Sequence, residues 1–149
     1  MIRKANVNDV KKIQKLIGHY AKRERMLPRS LNELYENIRD FFVYAEGNNI
    51  YGCCALHVDW EDLSEIKSLA VAKSKSGKGI GKKLLAHCLK EAKALKVKKV
   101  FALTYIPSFF EPFGFKIVDK KELPHKIWSE CIKCVYFPGC KEIAMLKEV

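Results

Sequence analysis

The sequence predicts an α/β fold in which a mixed central β-sheet is flanked by helices. Stretches with helical spacing of apolar residues and apolar stretches typical of strands both occur along the 149 residues. In the middle of the chain a strand, a glycine-rich loop, a helix and another strand follow one another, an order that pairs two strands in parallel. Hydrophobic residues make up 48% and charged residues 30%, which suits a folded core. We expect one domain over residues 1–149.

Two helices open the predicted fold. Apolar residues recur at helical spacing over residues 6–22, and Asn8 is a candidate N-cap. Pro28 interrupts the chain after this helix. Ser30 and Glu33 then form a capping box that begins a second, short helix.

Strands follow these helices. Residues 41–45 and 50–58 flank the turn sequence at 46–49, which predicts a β-hairpin. A further turn at 59–62 leads into a third strand over 64–71. These strands form the first part of the predicted sheet.

The second half of the chain contains the β-loop-α-β unit. After the glycine-rich loop, an apolar stripe predicts a helix over 80–95, and a strand follows over 97–104. A short helix is predicted at 108–112, and closing strands are predicted at 115–118 and 142–146.

Positive charge is concentrated in one segment. Lys and Arg total 28 against 17 Asp and Glu, a formal net charge of +11. Ten Lys and one Glu lie between Lys73 and Lys99, so this segment contributes +9. A basic excess of this size indicates an anionic partner such as a phosphorylated ligand, a nucleic acid or a membrane surface.

The sequence carries no signal for export or membrane insertion. The first residues lack the apolar region of a signal peptide, and no apolar run approaches the roughly 20 residues that span a bilayer. We therefore expect a cytoplasmic protein without a membrane partner. Its six cysteines are expected to be mostly reduced thiols or metal ligands. The sequence is compatible with a homodimer.

The glycine-rich loop lies inside the basic segment. Glycines allow backbone N–H groups to approach a ligand closely, and a helix N-terminus adds about half a positive charge. These features predict a pyrophosphate site; the alternative is a loop whose glycines only form tight turns beside solvated lysines. The residues of the predicted site are Ser76, Gly77, Lys78, Gly79, Ile80, Gly81 and Lys82.

Three motifs accompany this order of elements: the strand-end triplet Leu69, Ala70 and Val71, the loop glycines Gly79 and Gly81, and the aromatic pair Phe109 and Phe110 before Gly-Phe. Together with the order of elements they resemble the GNAT acyltransferase family over nearly the whole chain. Ser76 stands where the family usually has Gln or Arg. The resemblance implies a GNAT fold and an N-acetyltransferase activity, with acetyl-CoA as co-substrate bound by these motifs and the loop.

Within that family, three stretches are similar to N-acetylglutamate synthases. They are residues 26–30, 65–71 and 123–145. The similarity implies direct transfer of acetyl to the α-amine of a small amino acid, L-glutamate, as a step of arginine biosynthesis. A GNAT enzyme for another small amine or for a protein N-terminus is the alternative. A nucleic-acid-binding module is disfavoured, because no Arg, Phe, Tyr or Trp occurs between Lys73 and Val100.

The resemblance also suggests which residues carry out the chemistry. Glu65 corresponds to a glutamate that often acts as general base through water; a surface carboxylate that balances Lys67 is the alternative. Backbone N–H groups near Leu69 to Val71 would polarise the thioester carbonyl. Phe110 occupies the position of the usual tyrosine acid, so the thiolate would leave without a phenol at that site.

A dicarboxylate acceptor requires cationic partners. Arg29, Lys67 and Lys126 are the candidates, because each lies in one of the three similar stretches, and ordinary surface charge is the alternative. Thr104, at the end of its predicted strand, is a candidate hydroxyl contact to the substrate.

Four residues near the C-terminus have a spacing compatible with zinc: His125, Cys131, Cys134 and Cys140. A disulfide within the cysteine trio and three buried thiols are the alternatives. The family resemblance implies no metal, and we expect none.

Overall fold

The computed structural model describes residues 1–21, 29–123 and 142–149. The helices in these residues are α1 (Val10–Ala21), α2 (Leu31–Glu36), α3 (Ile80–Ala94) and α4 (Pro107–Phe110). The strands are β1 (Ile2–Lys4), β2 (Phe41–Glu46), β3 (Asn49–Trp60), β4 (Leu63–Val71), β5 (Lys99–Thr104), β6 (Lys116–Val118) and β7 (Ile143–Glu148). None of these helices is long and apolar enough to cross a membrane.

The seven strands described form one mixed sheet with the order β1-β2-β3-β4-β5-β7-β6. Each neighbouring pair is antiparallel except β4 and β5, which are parallel and are connected through α3. A parallel pair needs a crossover connection, which the glycine-rich loop and α3 provide. The predicted α/β class, with a mixed sheet, flanking helices and a β-loop-α-β core, is confirmed.

Helices cover both faces of the sheet. One face packs against α3 through a core that includes Leu84. The other face packs against α1 through a core that includes Ile13. Cys53 and Cys54, neighbours on β3, belong to opposite cores because side chains alternate along a strand. We call the two sides the α3 face and the α1 face.

The start of the first helix differs from the prediction. Asn6, not Asn8, is the N-cap of a 3-10 turn at Val7–Asp9 that leads into α1. The Asn6 side chain accepts a hydrogen bond from the Asn8 N–H at 3.0 Å, and the Asp9 carboxylate accepts one from the Asn6 N–H at 2.9 Å. Arg3 donates two hydrogen bonds to Asp9 and thereby lowers the pKa of that carboxyl. The reciprocal cap fixes the direction in which α1 leaves the sheet.

Of the capping box predicted for α2, the Ser30 half is confirmed, while the Glu33 carboxylate accepts from Arg29 Nε at 3.1 Å. The Ser30 hydroxyl accepts a hydrogen bond from the Glu33 N–H at 3.2 Å. Just before this cap, the Arg29 carbonyl accepts a hydrogen bond from the Gln14 side chain of α1 at 3.2 Å. Arg29 is therefore held next to both helices.

β1 is a strand that the sequence pattern does not predict. Its three residues pair with β2 from Ile2↔Tyr44 to Lys4↔Phe42. So short a segment has no periodicity of its own, and the adjacent strand defines it.

The middle of β4 contains a β-bulge. Ala55 pairs with Lys67 and Cys53 pairs with Ala70, so two residues of β4 lie opposite one residue of β3. Ser68, the first of these two residues, has a left-handed φ of 55°. A bulge bends and twists the strand that carries it. The second half of β4 therefore takes a different direction from the first.

Beyond the bulge, β4 and β5 separate. Their parallel pairing reaches Ile66↔Ala102, although β4 continues to Val71 and β5 to Thr104. No pairing in the described residues joins these two strand ends. We call this opening, which lies beside the glycine-rich loop, the β4–β5 gap. It leaves backbone groups of the last residues of β4 without a partner on β5, as the resemblance implies for the thioester site.

Candidate active site

The glycine-rich loop ends at the N-terminus of α3. Gly77 and Gly79 both have φ of 78°, a left-handed conformation that favours glycine. Gly79 is the N-cap of α3, and no side chain at this position accepts a hydrogen bond from the first N–H groups of the helix. The first N–H groups of this 15-residue helix are therefore available to an anion.

The loop packs against the end of β4 and against α4. A Cβ added at Gly81 would lie 3.4 Å from the Phe109 ring and 3.7 Å from the Val71 side chain. A Cβ at Gly79 would have nothing within 4 Å. Val71 is held from the other side by the Tyr20 hydroxyl of α1, which donates to the Val71 carbonyl. The space beside Gly79 is thus open, while Gly81, Phe109 and Val71 next to it are held in place by packing.

Lysines surround the loop, but Lys75 is engaged elsewhere. Its ammonium lies 3.1 Å from a Glu46 carboxylate oxygen and 4.9 Å from the centre of the Tyr51 ring. The Glu46 carboxylate raises the pKa of Lys75. Lys75 therefore balances Glu46 and adds little charge to the loop. The exposed lysines around the loop are Lys73, Lys78, Lys82 and Lys83.

Ser76 occupies the position where the family usually has Gln or Arg. Its hydroxyl donates to the Lys73 carbonyl at 2.9 Å. Ser76 thus closes the turn before Gly77 and brings no cation of its own. The positive charge at this position comes from the exposed lysines.

The two phenylalanines predicted at the co-substrate site have different environments. Phe109 is half-buried and borders Gly81. Phe110 is buried in the core of the α3 face, where its ring lies edge-on to Phe115 with 5.2 Å between ring centres. Of the pair, Phe109 adjoins the loop and Phe110 packs in the core. The predicted triplet, Leu69, Ala70 and Val71, forms the edge of β4 along the gap.

Glu65 is buried in the part of β4 that pairs on both sides. Its Cα partners are His57 on β3 and Phe101 on β5, and its exposure is 7%. The Lys67 ammonium lies 3.9 Å from its Oε1. Ala55, which pairs with Lys67, belongs to the core of the α1 face, so Glu65 and Lys67 both lie on that face. The carboxylate is therefore beside Lys67 but is not on the surface.

An ion pair that no sequence pattern indicated lies on the same face. His57 Nδ1 is 2.7 Å from an Asp40 carboxylate oxygen, and His57 Nε2 is 4.0 Å from Asp59. The Asp40 partner raises the pKa of His57. Because His57 is opposite Glu65, charged side chains from two strands meet here. Alternating polar residues in β3 and β4 were the available signal, but the register was needed to bring them together.

Arg29 lies against the bulge. Its side chain is 10% exposed, and its Nη1 donates to the Ser68 hydroxyl at 2.9 Å. Its Nε donates to a Glu33 carboxylate oxygen at 3.1 Å, and its guanidinium lies 6.0 Å from the centre of the Phe41 ring. Arg29 is therefore placed on the α1 face, beside the residue that follows Lys67, rather than on open surface.

Ser68 is held from a second side. Its carbonyl accepts a hydrogen bond from the Cys53 thiol at 3.2 Å. Burial raises the pKa of that thiol to about 12. Ser68 lies in the stretch 65–71 that resembles N-acetylglutamate synthases, but the sequence does not single it out from its neighbours, since its contacts depend on a bulge that only the strand register reveals.

The remaining predicted substrate contacts are Thr104 and Lys126. Thr104 ends β5 at the gap, and its hydroxyl oxygen accepts a hydrogen bond from the Ile106 N–H at 2.9 Å. Its hydroxyl proton remains able to donate. Lys126 lies outside the described residues, as do the zinc candidates His125, Cys131, Cys134 and Cys140.

The β4–β5 gap thus lies between two sets of groups. The loop and the N-terminus of α3 offer N–H groups and lysines to phosphates. The α1 face offers a buried carboxylate, Glu65, and two cations, Arg29 and Lys67.

Residues 37–117 match a family model described as the acetyltransferase (GNAT) domain. The chain belongs to the GNAT acetyltransferase family. The matched stretch contains Glu65, the loop and α3, so the predicted enzyme class, an N-acetyltransferase, is confirmed.

Two curated relatives align with most of this GNAT chain. An uncharacterized N-acetyltransferase of Chlorobaculum tepidum is 38% identical over 146 residues, covering 98% of this chain and 94% of the relative. An amino-acid acetyltransferase of Mycobacterium tuberculosis is 35% identical over 134 residues, covering 87% of this chain and 76% of the relative. The predicted similarity to amino-acid acetyltransferases within the GNAT family is therefore confirmed.

Solved structures show the same fold. A Mycobacterium tuberculosis protein in complex with CoA has a TM-score of 0.87 at 28% identity, covering 100% of this chain and 99% of that chain. N-acetylglutamate synthase from Neisseria gonorrhoeae, complexed with coenzyme A and N-acetyl-glutamate, has a TM-score of 0.91 at 28% identity. The comparison covers 99% of this GNAT chain and 34% of that synthase. Coenzyme A in both complexes agrees with the co-substrate expected from the sequence.

Proposed function

We propose that this GNAT enzyme transfers the acetyl group of acetyl-CoA to the α-amine of L-glutamate. The observation that carries the proposal is that a buried carboxylate and a largely buried arginine lie on the same face of β4, the carboxylate just before the bulge and the arginine against it. Glu65 is 7% exposed, and the Arg29 side chain is 10% exposed. Charged side chains are seldom buried unless they are paired, and ionisable groups gathered in a cleft favour a functional site.

The donor is acetyl-CoA, with its pyrophosphate at the loop. The uncapped N-terminus of α3 and the left-handed glycines direct N–H groups toward the phosphates. The exposed lysines add charge around them. The thioester arm then runs along the last residues of β4, where the gap leaves backbone N–H groups to polarise the acetyl carbonyl.

Transfer is direct. Glu65 takes a proton from the ammonium of the acceptor, through water, and the free amine attacks the carbonyl carbon of the thioester. A carbon–nitrogen bond forms, and the carbonyl oxygen gains charge that the N–H groups near Leu69 to Val71 stabilise. The attacking nitrogen then releases its extra proton to solvent water, the carbonyl re-forms and the carbon–sulfur bond breaks. The coenzyme A thiolate leaves without a protein acid, because an ordinary thiol pKa of about 8.5 makes it an acceptable leaving group.

Acceptor choice depends on the cations of the α1 face. Arg29 offers a planar guanidinium to one carboxylate, and Lys67 offers an ammonium to the other. Thr104 contributes its hydroxyl proton, and Lys126 is proposed as a further cation. The amino-acid acetyltransferase of Mycobacterium tuberculosis and the Neisseria gonorrhoeae synthase support an amino-acid acceptor and glutamate in particular. We further propose a cytoplasmic enzyme acting in arginine biosynthesis.

A neutral relative of glutamate is the second candidate acceptor. Arg29 and Lys67 already have carboxylates beside them, Glu33 at 3.1 Å and Glu65 at 3.9 Å. These carboxylates reduce the positive charge available to a second acceptor carboxylate. An acceptor such as glutamine would need one cation instead of two.

An acceptor panel tests the proposal. Initial rates with acetyl-CoA are measured for glutamate, glutamine, aspartate and a short peptide with a free N-terminus. We expect the highest kcat/KM for glutamate. Losing one hydrogen bond to a charged group costs about 1.5–3 kcal/mol, so Arg29→Ala is expected to lower that value by roughly 10–150-fold. Its acetyl-CoA Kd is expected to stay within about twofold, since the Arg29 side chain bonds to Glu33 and Ser68 and not to the loop. A higher value for the peptide, or equal loss for all acceptors in Arg29→Ala, would contradict the glutamate assignment.

A further inference from the structure

Ser68 has a backbone conformation that is unusual inside a strand. Among the described non-glycine residues, Ser68 and Lys96 have positive φ, 55° and 64°. Lys96 follows the C-terminal end of α3, where a left-handed residue is common. Ser68 lies in the middle of β4, where glycine would adopt the same φ with less strain. A left-handed non-glycine residue beside a functional site is a reason to ask what its side chain does.

The side chain of Ser68 makes one contact that glycine could not make. Its hydroxyl accepts a hydrogen bond from Arg29 Nη1 at 2.9 Å. The Arg29 Nε donates to Glu33, whose side chain is 54% exposed. Among residues 1–21, 29–123 and 142–149, no hydrogen-bond partner is found for Arg29 Nη2. Ser68 and Glu33 thus hold two of the three nitrogens of the guanidinium, and the third is available to an acceptor.

The same residue fixes the bulge. The Ser68 carbonyl accepts from the Cys53 thiol at 3.2 Å, and the pairing of β4 with β5 ends two residues earlier, at Ile66↔Ala102. Ser68 therefore connects Arg29, the cation proposed to bind the acceptor, with the bulge in β4 beyond which the gap begins. The backbone of Ser68 forms part of the bulge, and its hydroxyl contacts Arg29.

We propose that Ser68 is a positioning residue that holds the guanidinium of Arg29 through Nη1 and so keeps its remaining N–H groups directed at the acceptor instead of at Glu33. The inference rests on the proposed role of Arg29 as the carboxylate-binding cation. Without the hydroxyl, Nη1 loses its acceptor and the guanidinium can rotate to bind the Glu33 carboxylate with two nitrogens. That rotation turns the N–H groups that would bind the acceptor away from the gap. Acceptor binding therefore weakens, while acetyl-CoA binding is unchanged.

The first experiment compares three variants. Ser68→Ala removes the hydroxyl, and Ser68→Gly removes it while relieving the left-handed strain. Ser64→Ala is the matched control: Ser64 is on the same strand, buried, and its hydroxyl has no hydrogen-bond partner among the described residues. We expect both Ser68 variants to raise the acceptor KM by roughly tenfold, with acetyl-CoA Kd within about twofold of wild type, and Ser64→Ala to match wild type. Melting temperatures confirm that each variant folds.

The second experiment tests whether the hydroxyl acts through Arg29. In a double-mutant cycle, Ser68→Ala combined with Arg29→Ala is expected to be no worse than Arg29→Ala alone. Glu33→Gln added to Ser68→Ala is expected to restore most of the acceptor KM, since the competing carboxylate becomes neutral. Wild-type KM in Ser68→Gly, additive losses in the cycle, or no rescue by Glu33→Gln would each overturn the proposal.

The acceptor panel separates this inference from the proposed function. The cycle is run with whichever acceptor has the highest kcat/KM in the wild type. If glutamate is not that acceptor, the proposed function fails while the link between Ser68 and Arg29 is still measured. If glutamate is best and Ser68→Gly keeps the wild-type KM, the link fails and the glutamate assignment stands.

Discussion

The carboxylate of Glu65 is the group on which the proposed chemistry depends most directly. Glu65→Gln keeps the shape of the side chain and removes its ability to take a proton. We expect kcat to fall by about 10²–10⁴-fold, with the melting temperature close to that of wild type. Raising the pH is expected to restore part of the rate, because the free amine of the acceptor becomes more abundant. A near-normal kcat at neutral pH would show that Glu65 is structural.

The ion pair of His57 and Asp40 makes stability depend on pH. The Asp40 carboxylate raises the His57 pKa above its value in the unfolded chain. The stabilisation is therefore fully present below the unfolded pKa of about 6.5 and is lost as the pH rises through the higher folded value. A partly exposed pair of this kind contributes about 0.5–1 kcal/mol.

Melting curves of Asp40→Asn across pH 5.5–9 measure this contribution. We expect a loss of about 2–3 °C at the acid end, shrinking toward zero at the alkaline end. Asp62→Asn, the same substitution at an exposed position, is the control and is expected to show no such trend. A loss that is constant or grows with pH would rule out a protonated His57 as the source.

Individual residues show what sequence reasoning could and could not reach. Glu65 and Arg29 were predicted through the family resemblance, and the structure places both on one face of the gap. Ser68 and His57 were missed because their contacts join distant segments: Ser68 with Arg29, and His57 with Asp40. Lys75 was counted with the basic segment around the loop, but Glu46 of the preceding hairpin holds it. Partners separated by tens of residues leave no local pattern.

At the scale of elements, the junction between the loop and α3 is the most sensitive point. Gly79→Ala places a Cβ on a residue with φ of 78°, a conformation that costs an L-residue roughly 1–2 kcal/mol, and puts that Cβ into the space open to the phosphates. We expect a melting temperature lower by a few degrees and an acetyl-CoA Kd raised by about tenfold or more.

A glycine in α1 provides the control for this substitution. Gly18 lies inside the helix, and a Cβ added there would have nothing within 4 Å. Gly18→Ala should stabilise the protein by about 0.5–1 kcal/mol and leave the acetyl-CoA Kd unchanged. If Gly79→Ala binds acetyl-CoA as well as Gly18→Ala does, the loop is not the phosphate site.

Elements with strong local signals were predicted, and those defined by a neighbour were not. The hairpin of β2 and β3 and the helix α3 have periodicity and turn residues of their own, and they agree with the prediction within a few residues. β1 is three residues long and depends on β2 for its identity. The cap before α1 is Asn6 instead of Asn8 because Asp9 completes a reciprocal pair with Asn6. The bulge in β4 could be found only from the register with β3.

For the whole molecule, the question is whether overall charge or the loop attracts the coenzyme. Lys82 and Lys93 lie at opposite ends of α3, about 16 Å apart at 1.5 Å per residue. This separation exceeds the screening length of about 8 Å at physiological salt. Lys82→Glu is therefore expected to raise the acetyl-CoA Kd about tenfold, and Lys93→Glu less than about twofold. At low salt the two effects should converge, and isothermal titration at two salt concentrations measures both. Equal losses at physiological salt would indicate a general field instead of a local site.

The buried thiol beside the bulge gives a way to watch the site loosen. With a pKa of about 12, Cys53 has almost no reactive thiolate at neutral pH while the sheet is closed. Alkylation of this cysteine therefore reports the fraction of molecules in which the centre of β3 and β4 has opened, at a rate set by local opening rather than by reagent access. The Cys53 thiol donates to the carbonyl of Ser68, the bulge residue. Peptide-resolved labelling with and without acetyl-CoA would therefore measure how strongly the bound co-substrate stabilises this part of β4 against local opening.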